Sequence, residues 1–167
     1  MRIIGLDPGY ALCGYGIIDH QGHQLRAVAC GAFSTPAGMS FEKRLLLIYD
    51  GLCEILDKYQ PDVMAIEELF FAKNTTTAMG TAQARGVLTL AAAQRGMPLF
   101  EYKPMQVKKA VTGYGGAKKQ QVQEMVRVLL GLKEIVKPDD AADALAVAIC
   151  QAHTGLLGDY RLRGGYQ

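Results

Sequence analysis

The chain has 167 residues, 50% apolar and 20% charged, which suits one domain around a single hydrophobic core and excludes a disordered class. Its formal net charge is only +2, so the total carries no argument for a nucleic-acid partner, and such an argument has to come from local clustering. The four cysteines, Cys13, Cys30, Cys53 and Cys150, share no metal-ligand spacing with His20, His23 or His153, which argues against zinc and for reduced, mostly buried thiols.

Arg2 to Asp7 is a short apolar run closed by Asp7-Pro8-Gly9, and it predicts a strand ending in a turn. No signal-peptide pattern is visible, and Arg85, Gln94 and Arg95 interrupt the Ala-rich runs before any reaches bilayer length. The expectation is a cytoplasmic protein with no membrane partner. Gly14 to His20 and Gln24 to Phe33 predict two further strands, joined through Gln21-Gly22 as a hairpin. Ser34 to Ser40 is a loop rich in Pro, Gly and Ser. Leu45, Ile48, Leu52, Ile55 and Leu56 then fall at helical spacing and predict a helix from Phe41 to Tyr59, stopped by Pro61.

Asp62 to Glu67 is a strand that again finishes on an acid. Asn74 to Arg95 is a long Ala-rich helix, and Met97 to Glu101 a fifth strand. Helices over Met105 to Thr112 and Lys118 to Leu130 flank the linker Gly113-Tyr114-Gly115-Gly116. Asp139 or Asp140 is expected to cap a last Ala-rich helix, which runs to His153 after Pro138. A meander followed by alternating units gives an α/β class with a five-stranded mixed sheet flanked by helices. Residues 1–155 form the expected domain, and 156–167, with their Gly and Arg residues, read as a flexible C-terminal tail.

Asp7 ends the first strand and Glu67 the fourth. Parallel neighbouring strands would bring both carboxylates to one sheet edge, where open α/β sheets place their sites. Asp140 and Asp143 share one face of the last helix. Four converging acids repel one another unless protonated or neutralised by a cation. Oxygen ligands without Cys or His select Mg²⁺ or Mn²⁺, and two such ions about 4 Å apart support in-line phosphoryl chemistry. Plainer readings stay open for each acid. Asp7 before Pro-Gly suits a turn, Glu67 and Glu68 suit a solvated strand end, and Asp139 and Asp140 suit helix caps. Asp143 is harder to dismiss, lying among Ala141, Ala142, Leu145, Ala146 and Ile149.

The segments Gly5-Leu6-Asp7-Pro8-Gly9, Ala65-Ile66-Glu67-Glu68-Leu69-Phe70, Gln83-Ala84-Arg85-Gly86 and Asp140-Ala141-Ala142-Asp143-Ala144-Leu145-Ala146 together resemble those of the RuvC Holliday junction resolvases. The resemblance spans nearly the whole chain. It implies a ribonuclease-H-like fold and a crossover junction endodeoxyribonuclease acting in DNA recombination and repair. It implies a catalytic, metal-binding tetrad of Asp7, Glu67, Asp140 and Asp143 holding two Mg²⁺ per site, with Mn²⁺ as a substitute. Asp139 and Glu68 adjoin two of these, and the spacing to Asp143 selects Asp140. The family further implies a homodimer on four-way junction DNA, paired symmetric nicks, and work alongside a branch-migration complex of RuvA and RuvB type proteins.

Between Tyr102 and Lys133 lie Lys103, Lys108, Lys109, Lys118, Lys119, Arg127 and Lys133 against the single acid Glu124. This cluster suits phosphate contacts, and equally a solvated helix face. The resemblance singles out Lys108 and Lys119 as the two near the scissile strand. It gives Phe70 a stacking role against an unpaired base, with core packing the plainer reading. Asn74 and Thr75 to Thr77 admit DNA contact or helix capping. Met79, Ala82, Gly86, Leu90 and Ala93 look like buried core taken alone, and like the dimer interface under the resemblance. A ribonuclease H, an actin-like nucleotide-binding fold and a catalytically silent DNA-binding module are the alternatives. The second needs a duplicated domain that this length does not hold.

Overall fold

The structure, a computed structural model, describes residues 1–69 and 75–155, with the backbone alone at 75–77. The tail 156–167 therefore lies outside the described residues. Five strands are formed by β1 (Arg2–Asp7), β2 (Leu12–Gln21), β3 (Gln24–Ser34), β4 (Val63–Glu67) and β5 (Leu99–Tyr102). The helices are α1 (Phe41–Tyr59), α2 (Thr75–Gln94), α3 (Pro104–Thr112), α4 (Lys119–Leu129) and α5 (Asp139–Thr154). Sheet order is β3-β2-β1-β4-β5. The meander β1–β2–β3 is antiparallel, whereas β4 runs parallel to both β1 and β5. The predicted mixed sheet is thus observed. The second strand is longer than its apolar run, because Leu12 and Cys13 pair with Ser34 and Phe33.

Period-two alternation sorts the sheet into two cores. Ile4 and Leu6 of β1, with Met64 and Ile66 of β4, pack under α1 and α2 with Ile48, Leu52, Leu56, Ala84 and Leu88. Ile3, Val63 and Ala65 face the other way, into a core with Leu145, Ala148 and Ile149 of α5 and Val107, Val122 and Val126. The next residues of that second set are Asp7 and Glu67. The strand period therefore sends both acids to the α5 side.

Helix α5 is buried nearly all round from Ala141 to Ala152, and glycines let its backbone sit directly on the sheet. A Cβ on Gly5 would lie 2.1 Å from the Ala144 carbonyl oxygen, and one on Gly16 2.7 Å from Leu145 N. These two glycines are cross-strand partners. Glycine weakens a strand interior, and its use here is the close backbone approach it permits. At the far end of α5, Gln151 is fully buried; the Tyr102 hydroxyl donates to its Oε1 at 2.6 Å.

Three side-chain expectations are corrected. Neither Asp139 nor Asp140 caps α5: the N-cap is Pro138, whose extended backbone starts the helix without a side-chain bond. Asp139 and Asp140 consequently occupy the first turn, where the positive end of the helix dipole favours carboxylates. Of the cysteines, Cys13 and Cys150 are buried, but Cys30 is exposed and Cys53 half-buried; all four are free thiols. The apolar stripe of α2 is not core within one chain, since Met79 is 68% and Leu90 52% exposed. Among the described residues, no helix is long and apolar enough to cross a membrane.

Candidate active site

The parallel register pairs Leu6 with Ile66, so Asp7 and Glu67 end adjacent strands at the same edge. Across β1, Asp7 is paired with Gly14. A Cβ on Gly14 would lie 2.1 Å from the Asp140 carbonyl oxygen and 2.4 Å from its carbonyl carbon. That glycine admits the first turn of α5 to the ground beside Asp7. Asp143 follows three residues later on the same helix face and lines a cavity of about 210 Å³ with Glu67, Lys108, Lys119 and Val122. Sequence reasoning named the acids but missed Gly14 and Gly16. The signal was there as glycines at alternate positions of a strand, read against an Ala-rich helix.

The turn after Asp7 is pinned from several sides. Thr35 Oγ1 donates to the Tyr10 carbonyl at 2.6 Å, and Arg44 Nε donates to Thr35 Oγ1 at 2.7 Å. The Arg44 guanidinium lies 4.6 Å from the centre of the Tyr10 ring, a cation–π geometry. Tyr10 and Arg44 thereby join the Asp7 turn to α1, a contribution with no mark in the sequence pattern.

The electrostatics report the convergence of the four acids. Burial pushes the Asp7 carboxyl up to about 8, and the charges of Glu67, Asp143 and Asp140 push the same way, partly opposed by Lys119. Glu67 is raised to about 6, again first by burial and then by Asp143, with Lys108 opposing. Desolvation and like charge both disfavour the ionised forms. A bound cation would relieve both, and the all-carboxylate donor set suits hard, oxygen-seeking divalent ions. Yet among the described residues no three acidic, His or Cys side chains already form a cation cage.

Folding supplies the acids with a nearby cation. Lys119 Nζ lies 2.9 Å from Asp143 Oδ2 and 3.5 Å from Asp139 Oδ2. Lys137 holds the other oxygen of Asp139 at 2.7 Å, and these lysines set Asp139 below the usual carboxylate range, Lys137 first. Lys108 and Lys119 both line the acid cavity. Arg127 pairs with Glu124 at 2.6 Å and donates to the Leu132 carbonyl. Glu68 donates its backbone N–H to the Tyr102 carbonyl, extending the β4–β5 ladder by one bond. Phe70 and Asn74 lie outside the described residues.

A sequence model of the family described as Crossover junction endodeoxyribonuclease RuvC matches residues 3–151. A protein of that name from Heliobacterium modesticaldum is 60% identical over 154 residues, covering 92% of this chain and 95% of its own length. One from Chloroflexus aggregans is 57% identical over 154 residues, covering 92% and 94%. Among solved structures, Thermus thermophilus RuvC in complex with Holliday junction substrate matches with a TM-score of 0.90 at 35% identity, covering 95% of this chain and 96% of that one.

Proposed function

This chain belongs to the RuvC family of crossover junction endodeoxyribonucleases, with their ribonuclease-H-like fold, and we propose that it resolves Holliday junctions by paired, symmetric nicks in recombination and repair. The observation that carries the reading is the juxtaposition at the β1–β4 edge. Two strand-end acids stand beside a helix that bears Asp140 in its first turn and Asp143 in its second, and the burial and like charge that raise Asp7 and Glu67 would be relieved by a bound cation. Such a pocket matches hydrolysis of a polyanionic backbone.

Asp7, Glu67, Asp140 and Asp143 would hold two Mg²⁺ ions, or Mn²⁺ in their place. Bound there, the ions would supply an activated water and stabilise the leaving oxygen of an in-line displacement. Asp7 is central because it stands between Glu67 on one strand and the Asp140 turn seated on Gly14. Lys108 and Lys119 would bind phosphate beside the acids, as point charges that position the strand without reading its sequence. Phe70 and Asn74, three and seven positions after Glu67 in the sequence, are assigned to DNA contact. Residues 1–155 would form the nuclease domain, with 156–167 as a tail.

The partner that completes the enzyme is a second copy. Of the expected interface residues, Met79, Gly86, Leu90 and Ala93 are exposed on α2 and Ala82 is half-buried, and an exposed apolar stripe of this kind marks an interface. A two-fold dimer offers two equal sites to a two-fold substrate. The remaining partners on this reading are RuvA and RuvB type branch-migration proteins, and the compartment is the cytoplasm.

The test is incubation with a synthetic mobile four-way junction, with and without Mg²⁺, and strand-by-strand mapping of products. Paired cuts at symmetry-related positions, present only with the metal, are the expected result. No cutting, or cutting confined to RNA–DNA hybrids, rejects the proposal.

A further inference from the structure

Lys119 is placed where a metal ion would compete with it. Its ammonium contacts Asp143 at 2.9 Å and, with the same nitrogen, Asp139 at 3.5 Å. The two carboxylates differ in their other surroundings. Asp143 lines the acid cavity with Glu67 and Lys108. Asp139 is not among those lining residues, and Lys137 occupies its Oδ1 at 2.7 Å while its Oδ2 faces Lys119. An acid so tied to a lysine is a poor metal ligand and a good acceptor for a second ammonium.

We propose that Lys119 is the site's built-in counter-ion in the metal-free protein, and that Asp139 is a positioning residue that receives its ammonium when a divalent cation takes Asp143. This inference rests on the reading of Asp143 as a metal ligand. The displacement is small, because the nitrogen already touches both carboxylates. It leaves the lysine beside the metal site and available to a substrate phosphate, rather than bound face-on to a ligand the metal needs. Asp139 thus acts through Lys119, and Lys137 fixes Asp139 in place. The doubled acid Asp139-Asp140 divides accordingly: the second residue would serve the metals and the first manages the lysine.

The proposal has a consequence in metal affinity that is independent of catalysis. Mn²⁺ binding to the purified protein without DNA, measured by calorimetry and by the loss of free-ion paramagnetic resonance signal, is the readout. Lys119→Met should tighten Mn²⁺ binding, since no ammonium has to be displaced. Asp139→Asn should weaken it, since the displaced ammonium loses its alternative acceptor. Each change should be about two- to fivefold, the range of a solvent-exposed ion pair. In the double variant the Asp139→Asn effect should vanish, because there is no lysine left to receive; that non-additivity separates an indirect role from a direct one. Lys137→Met removes the same charge without contacting Asp143, and it should tighten binding less than Lys119→Met does.

An Asp139→Asn effect of equal size with and without Lys119 would overturn the proposal, making Asp139 a ligand or a simple field charge. Unchanged affinity in Lys119→Met would overturn it as well. Failure of the underlying site looks different: Mn²⁺ binding would then be absent, or indifferent to Asp7→Asn, in the parent protein. Circular dichroism of each variant guards against unfolding, and Lys119→Arg should retain near-parent affinity if charge at that place is what matters.

Discussion

Replacing Asp7 by Asn should stabilise the metal-free protein, and increasingly so as pH rises. Asp7 is half-buried and faces three other acids, with its carboxyl moved from 3.8 to about 8. An acid raised in the folded state leaves stability untouched below its unfolded value, because both states are then protonated. Above that value the unfolded chain ionises freely while the fold resists, so stability falls from about pH 4 and levels off once the folded group ionises near 8. At about 1.4 kcal/mol per pH unit the loss has a ceiling of about 6 kcal/mol. Relaxation and water access reduce it, and about 2 to 3 kcal/mol is a reasonable working figure. For a chain of this size that corresponds to roughly 4 to 12 °C in Tm. Thermal melts of both proteins in chelator, from pH 4 to pH 9, give the measurement. The curves should nearly coincide at pH 4 and diverge by pH 8, with the variant higher. Added Mg²⁺ should raise the Tm of the parent and close much of the gap, while junction cleavage by the variant is abolished. A gap that does not change with pH, or a variant less stable at pH 8, would refute the electrostatic account of the site.

Gly14→Ala should push the first turn of α5 off the sheet, since its Cβ would meet the Asp140 backbone at 2.1 Å. Cleavage and Mn²⁺ affinity should both drop at least tenfold in protein that still folds by circular dichroism, and normal affinity would disprove the seating role. Tyr102→Phe removes the donor to the fully buried Gln151 Oε1; it should cost about 1 to 3 kcal/mol in urea unfolding with cleavage retained, the penalty for an orphaned buried acceptor. Leu90→Glu, placed on the exposed face of α2, should yield monomers by light scattering and eliminate paired nicking, whereas an intact dimer would move the interface elsewhere. Lys108→Ala should lower junction affinity and reduce the salt slope by about one unit. An unchanged slope would assign Lys108 to a solvated face.

Much of the architecture was legible because its signals are local. Short apolar runs ending on an acid marked β1 and β4, helical spacing marked α1 with its observed ends, and glycine with proline marked the breaks. The strand period even fixed which face Asp7 and Glu67 share, once the strands were known to be parallel neighbours. The segment motifs carried the family, since Asp7, Glu67, Asp140 and Asp143 keep their order along the chain. Other features depend on contacts between residues far apart in sequence. No window of sequence relates Gly14 to Asp140, yet the absent Cβ sets the depth of α5 and therefore the position of two acids. Pro138 displaced the aspartates as N-cap because backbone geometry, not side-chain preference, decided where the helix could begin. Lys119 reached Asp143 only through the packing of α4 against α5, and so the acid cluster that looked uncompensated along the chain carries its own cation. Local chemistry determined which groups the protein owns; the fold decided their distances, and with them which charges repel, which pair and which are free to bind metal.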